Sequence, residues 1–226
     1  LKAMPQTKPY SIAQPPPQDP DWLKPFLAHC HRRRYPAKTE FIHPNDAADS
    51  LFYLVSGQVT IFLEDEDGRE IILTYLNKGD FIGEMGLFMP IPKRSVMVRT
   101  RSSCELAEIS YNKLEQLFEG DLRAHTKDIL YALGRQLTDR LAATSQKVSH
   151  LAFLDVTGRI AGTLLDLCKQ PDAMTHPDGM QIRITRQEIG RIVGCSREMA
   201  GRVLKDLEER GLINVKGKTI VVFGTR

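Results

Sequence analysis

Between residues 35 and 109, apolar residues occur in short runs that are separated by turn sequences. Such runs, rich in β-branched, aromatic and aliphatic side chains, are typical of β-strands. An Asp-Gly pair at residues 67–68 joins two of them and is a strong signal for a β-hairpin. The pattern predicts an antiparallel β-sandwich or roll with strands at 51–56, 59–63, 71–76, 95–101 and 106–109.

Helical periodicity dominates the middle of the chain. Two short helices are predicted at 21–31 and 111–119, and a long helix runs from near residue 123 to near residue 149. Small and apolar residues recur along the long helix at alternating three- and four-residue steps, at Leu130, Gly134, Leu137, Leu141, Thr144, Val148 and Leu151. This spacing is typical of a coiled-coil seam and favours a two-fold homodimer. The alternative is a helix that packs only on its own β-roll.

Residues 185–210 have the pattern of a helix-turn-helix. Thr185 and Glu188 have the spacing of a capping box at the start of a first helix. A Gly-Cys turn at 194–195 separates that helix from a second one, and residues 212–223 predict a β-hairpin wing.

These elements give an α+β chain with four parts. We expect a disordered Pro- and Gln-rich tail at 1–21, an N-terminal antiparallel β-roll at 22–122, a long dimerisation helix at 123–150 and a C-terminal winged helix-turn-helix domain at 151–226. A chain of 226 residues is long enough for two small domains with their own cores.

The charge is distributed unevenly along the chain. The net charge is only +3, but residues 181–226 contain ten Lys or Arg against five Asp or Glu. Residues 1–180 contain 21 basic against 23 acidic residues. A basic C-terminal end on a nearly neutral body favours a polyanionic partner for that end.

The four cysteines are scattered singly, at Cys30, Cys104, Cys168 and Cys195. Without a CxxC pair, neither a disulfide framework nor a zinc ribbon is expected. The His-Cys-His run at 29–31 does not place its side chains around one point, so no metal site is predicted. With no apolar run of membrane-spanning length and no signal peptide in view, we expect a cytoplasmic protein that does not enter a membrane.

Residues 81–95 contain the first candidate site. Gly83 allows the backbone to approach a ligand, and a helical turn beginning at Glu84 favours an anion at its start. Arg94 offers a planar fork of donors for a phosphate, and Ser95 adds a hydroxyl. Since a carboxylate repels phosphate, Glu84 fits best as an acceptor for sugar hydroxyls. A ribose-phosphate is the simplest ligand for all four residues; the alternative is a strand–turn–strand corner with an exposed arginine.

Thr144 and Ser145 are polar residues at or beside the predicted seam. If they are buried there, their hydroxyls need hydrogen-bond partners. A bound ligand could supply those partners.

The second helix of the helix-turn-helix presents Arg197, Glu198 and Arg202 on an outward sector. In a major groove, arginine pairs with guanine and glutamate accepts from the amino group of cytosine. Phosphate contacts are expected from Thr185, Arg186, Gln187, Lys205, Lys216 and Lys218. The alternative is a helical hairpin whose charged face is only solvated.

From about residue 26 to the end, the chain resembles the cyclic AMP receptor protein family of bacterial transcription regulators. The resemblance is densest at HLAFLDVTGRI (150–160), at 169–198 and at GKTIVVFGTR (217–226). It implies a β-roll that binds cAMP and no metal, a long dimer helix and a winged helix-turn-helix. It also implies a regulator, not an enzyme, that binds palindromic promoter sites as a homodimer and contacts RNA polymerase.

The resemblance also assigns roles to single residues. It implies that Glu84 takes the ribose 2′-hydroxyl and that Arg94 and Ser95 hold the cyclic phosphate. Thr144 is expected to read the adenine amino group, and Ser145 to reach the ligand of the partner subunit.

Further implied roles concern the base pocket and the polymerase. Thr74 would line the base pocket, and the exposed loop 173–179 would touch RNA polymerase.

Ligand binding is expected to extend the coiled-coil seam of the long helix toward residues 153–155. The second helices of the two helix-turn-helix motifs would then lie about 34 Å apart on DNA.

One departure from the family is a few extra residues near 120–125, just before the long helix.

Two other classes of protein remain open. The first is a DNA regulator of the same superfamily that needs no ligand or another ligand. The second is an enzyme such as a cyclic-nucleotide hydrolase, which is disfavoured because no metal cluster and no nucleophile–base pair occurs near Arg94.

Overall fold

The computed structural model describes residues 19–225. Its strands are β1 (His31–Tyr35), β2 (Glu40–Ile42), β3 (Ser50–Ser56), β4 (Gln58–Glu64), β5 (Glu70–Asn77), β6 (Phe81–Ile82), β7 (Met97–Thr100), β8 (Cys104–Ser110), β9 (Met174–His176), β10 (Gly179–Arg183), β11 (Ile213–Lys216) and β12 (Thr219–Phe223). Its α-helices are α1 (Leu23–Ala28), α2 (Met85–Phe88), α3 (Tyr111–Glu119), α4 (Thr126–Phe153), α5 (Val156–Leu167), α6 (Arg186–Val193) and α7 (Arg197–Glu209). The tail expected to be disordered lies outside the described residues, except for residues 19–21.

The N-terminal part is an antiparallel roll of two four-stranded sheets, in the orders β1-β8-β3-β6 and β2-β7-β4-β5. The five predicted strands are present, with ends shifted by one or two residues. The pattern missed β1, β2 and β6. Strand β1 reads HRRRY and has no apolar alternation, because Arg32 and Arg34 point outward and pair with Glu105 of β8 at 2.6 and 3.5 Å.

An aromatic cluster anchors the end of the roll where β6 finishes. Phe26 of α1 is fully buried, and Trp22 stacks on Phe81 with ring centroids 5.9 Å apart. Tyr53 of β3 meets the Phe81 ring edge-on at 5.1 Å. Aromatic packing of this kind holds Phe81 in place, and with it the residues that follow β6.

The long helix begins later and ends later than predicted. The extra residues before it form a turn and a 3₁₀ helix at Arg123–His125, so α4 starts at Thr126. Leu122 in this insertion is fully buried and fixes it to the roll core. At its other end α4 continues to Phe153, and the carboxylate of Asp155 then caps α5. The helix expected from residue 151 is therefore split at 154–155.

Only the first turns of α4 are covered by the roll. Ile129 and Leu133 are fully buried, whereas Leu141, Val148 and Phe153 are 66%, 61% and 83% exposed. Packing on its own roll therefore explains the beginning of the helix but not its apolar second half, which stays available to a second copy. Although α4 has 28 residues, neither it nor any other described helix is apolar enough to span a bilayer.

The C-terminal part packs α5, α6 and α7 against a third antiparallel sheet in the order β11-β12-β10-β9. Gly194 ends α6 with φ +73°, the left-handed conformation that favours glycine after a helix. Ser196 caps α7 through its hydroxyl, which accepts the Met199 N–H at 3.1 Å. The segment 170–179, expected to be a loop, contains β9, which pairs with β10.

Replacing Gly190 with alanine tests the tight turn of the helix-turn-helix. A Cβ atom at Gly190 would lie 2.5 Å from the backbone oxygen of Cys195, so the turn would have to shift. We expect the free energy of unfolding to fall by about 1–2 kcal/mol, measured by urea denaturation at fixed protein concentration.

Gly201→Ala in α7 is the matched control. Its Cβ would meet only the flexible Arg186 side chain, at 3.4 Å, so the better helix propensity of alanine should leave stability unchanged or raise it. Equal urea midpoints for the two variants would contradict this account of the turn.

Candidate nucleotide site and DNA-reading surface

Gly83 is the backbone centre of the candidate nucleotide site. It has φ +87°, and a Cβ there would collide with the Arg94 guanidinium and lie 2.9 Å from the carbonyl oxygen of Ser50. Both the left-handed conformation and the lack of space require glycine. The short helix α2 starts two residues later, close to the helical turn predicted at Glu84.

Arg94 lies against this glycine and is held from two sides. Its Nη2 donates to the Ser50 carbonyl at 2.5 Å, and its Nη1 donates to the Tyr111 hydroxyl at 3.2 Å. Among residues 19–225, no carboxylate lies within 4 Å of its guanidinium, so its charge is not compensated by an ion pair. Ser95, next to it, is exposed.

Glu84 is almost completely buried, with 3% of its surface exposed, and forms an ion pair with Arg140 of α4. Arg140 also donates to the carbonyl of Phe81 at 2.6 Å. Glu84 and Arg140 pair with one another, whereas Arg94 has no acidic partner within ion-pair distance among the described residues. The Nε of Arg140 is buried and has no hydrogen-bond partner among the described residues.

Two functional residues escaped the sequence pattern. Tyr111 donates to the Gly83 carbonyl at 2.6 Å, and burial raises the pKa of its hydroxyl, which keeps it a donor. Arg140 could have been found from spacing, because it precedes Thr144 by one helical turn and a buried Glu84 needs a cation. No local signal marked Tyr111, which reaches the loop only through the fold.

Besides Arg140, one face of α4 contacts the roll through Gln136 and Lys147. Gln136 exchanges hydrogen bonds with the backbone of Phe81, donating at 2.9 Å and accepting at 2.6 Å. Lys147 donates to the carbonyl of Leu73 in β5 at 2.5 Å. Burial lowers the pKa of the Lys147 ammonium.

These contacts place the two hydroxyl residues of α4. Thr144 is four residues after Arg140 and three before Lys147, so it lies on the roll-facing side between the contacts of these two residues. Ser145 is rotated by about 100° from Thr144 and faces away from the roll. Both side chains are exposed in the single chain.

Thr74 lies on β5 beside an irregularity in its pairing with β4. Ile61 pairs with Thr74 but Phe62 pairs with Ile72, which leaves Leu73 as an extra residue in a β-bulge. The ammonium of Lys147 binds the carbonyl at this bulge. The bulge therefore fixes the direction of Thr74, which is half-buried.

The chemistry of the site is that of binding. The structure brings Gly83, Glu84 and Arg94 together around one positive charge, with a buried carboxylate beside it that can accept hydroxyl groups. In the part of the chain that the structure describes, no group of three or more His, Cys, Asp or Glu side chains is arranged to hold a metal ion.

The second candidate site is the exposed face of α7. Its predicted base-reading residues Arg197, Glu198 and Arg202 are exposed, as is Lys205 farther along the helix. Met199 is 39% exposed, while Ala200 and Leu204 on the opposite side are buried. The helix is thus free on its polar face, as insertion into a major groove requires.

The predicted phosphate contacts surround this helix. Arg186 and Gln187 are exposed at the start of α6, and Lys216 and Lys218 are exposed on either side of the wing turn at Gly217. Thr185 is half-buried because its hydroxyl caps α6.

The capping box predicted at the start of α6 is only half formed. The Thr185 hydroxyl accepts the Glu188 N–H at 3.1 Å, as expected. The Glu188 carboxylate, however, does not return to the backbone of Thr185. It accepts a hydrogen bond from Tyr75 of β5 at 2.7 Å instead.

The loop predicted to meet RNA polymerase is the connection between β9 and β10. Met174 at its start is 56% exposed, and Pro177 and Asp178 at its tip are exposed. The Asp178 N–H donates to the His176 ring at 3.2 Å and stiffens the turn. The loop is therefore part of a paired hairpin with an exposed tip.

Family models match both parts of the chain that contain the candidate sites. A family model described as a cyclic nucleotide-binding domain matches residues 32–121, and one described as bacterial regulatory proteins of the crp family matches residues 182–213. The first match includes the loop after β6, and the second includes both helices of the helix-turn-helix.

Curated relatives match almost the whole chain. The Vfr protein of Pseudomonas aeruginosa, named a cAMP-activated global transcriptional regulator, is 63% identical over 207 residues, which are 90% of this chain and 94% of Vfr. The CRP protein of Salmonella typhimurium, which has the same descriptive name, is 58% identical over 210 residues, which are 93% of this chain and 98% of CRP.

A solved structure of CLP from Xanthomonas campestris superposes with a TM-score of 0.85 at 55% identity, covering 90% of this chain and 99% of that one. Its description calls CLP a c-di-GMP responsive global regulator. These matches confirm the predicted α+β fold, and they confirm that the chain is a regulator and not an enzyme. The chain belongs to the crp family of bacterial transcription regulators.

Proposed function

We propose that this chain is a cAMP-activated, sequence-specific DNA-binding regulator that binds palindromic promoter sites as a homodimer and contacts RNA polymerase. The observation that carries the proposal is the uncompensated Arg94 beside Gly83, joined through Glu84 and Arg140 to the long helix α4. An anion bound there would be connected directly to the helix that leads to the DNA-reading domain.

The charge of the site favours a ligand with a single phosphodiester. One free positive charge matches one negative phosphate, and the buried Glu84 carboxylate matches a ribose hydroxyl. Thr144 and Thr74 approach the same region from α4 and β5 and would read the base. Vfr and CRP are named for activation by cAMP, which contains one such phosphate, one ribose and one adenine.

A second candidate ligand is c-di-GMP, because a relative of 55% identity is described as responsive to it. This ligand has two phosphodiesters, whereas the cluster around Gly83 offers one uncompensated cation. We therefore place cAMP first and include c-di-GMP as a separate arm of the experiment.

Exposure of the second half of α4 supports a homodimer. Leu141, Val148 and Leu151 lie on the predicted seam and are each more than half exposed in the single chain. A two-fold partner would cover them, and Ser145, which faces away from the roll, would then point toward the partner's ligand. Two copies of α7 would meet a palindrome.

The remaining partners follow from the family and from exposed surfaces. We propose that the hairpin at 173–179 contacts RNA polymerase, since its two strands are paired and its tip is exposed. Promoter DNA as the target places the protein in the bacterial cytoplasm.

The proposed activation is a shift between two arrangements of the DNA-reading domains. cAMP can favour one arrangement only by binding it more tightly than the other. Contacts of the ligand with Thr144, and with Ser145 of the second copy, would supply this difference by fixing α4 against its partner. Helix α4 is continuous through Phe153, so the contact can reach the connection to α5.

Fluorescence anisotropy with a labelled duplex tests the function. The full chain is titrated into a palindromic TGTGA-type site at fixed salt with no nucleotide, cAMP, cGMP or c-di-GMP. We expect cAMP to tighten specific binding by at least 10-fold, because a typical allosteric coupling has this size. A duplex with one altered half-site is the control and should bind more weakly.

Two results would overturn parts of the proposal. Equal affinity for the duplex in all four arms would leave the proposal of DNA binding intact but refute the proposal that the chain senses a nucleotide. A response to c-di-GMP alone would replace cAMP as the ligand.

Arg94→Gln tests the phosphate contact. Loss of a charge-assisted hydrogen bond should raise the dissociation constant for cAMP by about 10- to 100-fold in isothermal titration calorimetry. The exposed neighbour Lys93→Gln is the control and should change the constant by less than about two-fold. Because Arg94 also binds Ser50 and Tyr111, the melting temperature of each variant is measured alongside; unchanged cAMP binding would refute the assignment.

Arg197→Ala and Lys218→Ala separate base reading from phosphate contact. Arg197→Ala should reduce the preference for the palindrome over random DNA by about 10-fold or more. Lys218→Ala should weaken both duplexes alike and reduce the slope of log affinity against log salt by about one. If the two variants behave identically on both duplexes, this division of roles is wrong.

A further inference from the structure

Strand β5 has two functional faces. Thr74 and Leu76 point into the roll, where the base pocket is proposed, while Tyr75 and Asn77 point outward. The outward face lies against the DNA-binding domain, because Asn77 donates to Gln170 at 3.1 Å and Tyr75 donates to Glu188 at 2.7 Å. Adjacent residues of β5 thus face the proposed ligand site and the DNA-binding domain.

Tyr75, Glu188, Arg101 and Asp172 form a compact cluster. The Arg101 guanidinium carbon lies 4.2 Å from the centre of the Tyr75 ring, a cation–π contact. Its two terminal nitrogens lie 3.4 Å from Glu188 and 3.5 Å from Asp172. Burial and the negative charge of Glu188 raise the pKa of the Tyr75 hydroxyl, which therefore remains a donor at physiological pH.

A second ion-pair cluster lies farther along the same strand. Glu70 of β5 pairs with Arg191 of α6 at 3.0 Å and with Arg99 of β7 at 2.7 Å. Arg99 also pairs with Glu40 at 2.7 Å, so two acidic and two basic side chains balance one another. The side chain of Glu70 is only 10% exposed, which reduces screening by solvent.

The hydrogen bond between Tyr75 and Glu188 replaces a local one within the helix-turn-helix. In a complete capping box its carboxylate would satisfy the backbone N–H of Thr185 within its own helix. The structure directs it to Tyr75 of another domain instead. Helix α6, the first helix of the helix-turn-helix, is thus held near its N-terminal end, two residues from the proposed phosphate contact of Arg186.

The Tyr75–Glu188 contact is present in a structure in which the polar face of α7 is exposed and α4 is continuous. Arg197, Glu198 and Arg202 on α7 are exposed while Glu188 is bound to Tyr75. Helix α4 is continuous through Phe153 in the same structure. The contact is therefore compatible with an exposed recognition helix and does not mask α7.

We propose that the Tyr75–Glu188–Arg101 cluster is the positioning contact through which strand β5 holds α6 in the orientation that binds DNA. The inference rests on the proposed function, because its test measures how much cAMP tightens DNA binding. Movement of Thr74 on closing over the base would be shared by Tyr75, its neighbour in the strand, and so reach α6.

The experiment compares DNA affinity with and without saturating cAMP for Tyr75→Phe, Glu188→Ala and the double variant. Each single variant should lose about 10-fold of the tightening that cAMP produces, with little change in affinity without nucleotide. The double variant should lose no more than Glu188→Ala alone, because Glu188→Ala already removes the hydrogen bond from Tyr75. A general folding defect would instead weaken both conditions alike.

Tyr35→Phe is the matched control. Tyr35 packs on Phe41 in the same roll, with ring centroids 5.1 Å apart, and its hydroxyl makes no hydrogen bond with the described residues. It should retain the full response to cAMP. An unchanged cAMP response in Tyr75→Phe, or tighter binding without nucleotide, would overturn the inference.

Hydrogen exchange separates this inference from the proposed function. In the DNA-free protein, the amides of α6 should exchange faster in Tyr75→Phe than in Tyr35→Phe, whichever nucleotide the protein senses. Equal exchange would remove the contact as a restraint. If the unaltered chain shows no response to cAMP while exchange behaves as expected, the ligand assignment fails and the contact stands.

Discussion

The ion pair between Glu84 and Arg140 is the interaction on which the nucleotide site depends. Glu84 is only 3% exposed, and removing one member of such a buried ion pair costs about 3–5 kcal/mol because the other charge is left unpaired. Arg140 also binds the Phe81 carbonyl, so one guanidinium joins the loop after β6 to α4. With Glu84 neutralised in this way, Arg94 remains as the single charge for a ligand.

The distribution of side chains on α4 is the reverse of that on an ordinary surface helix. Beyond its first turns, the face toward its own domain carries polar anchors, Arg140 and Lys147, and the solvent side carries Leu141 and Val148. A surface helix normally buries its apolar stripe. This reversal makes sense if a second copy covers the apolar side, and it explains why the same helix can serve both the ligand and a partner.

Elements with a strong period could be predicted from the sequence, and elements fixed by tertiary contacts could not. The hairpin around residues 67–68 and α3 were predicted because turn residues and apolar spacing are local signals. Strand β1 was missed because its arginines are paired across the sheet with Glu105. The glycine and the arginine of the nucleotide site were visible as a motif, but Tyr111 reaches Gly83 from 28 residues away and leaves no local pattern.

Glu188 shows how a local signal can be correct and still incomplete. Its spacing from Thr185 correctly predicted the start of α6, yet its carboxylate binds Tyr75, 113 residues earlier in the chain. Local chemistry selects the residue type, and the domain arrangement then decides which of two acceptable partners it takes. Because a cap and an interdomain hydrogen bond are of similar strength, the exchange between them costs little. A contact with so small a difference in free energy can be made and broken by a ligand, which a large apolar interface would not allow.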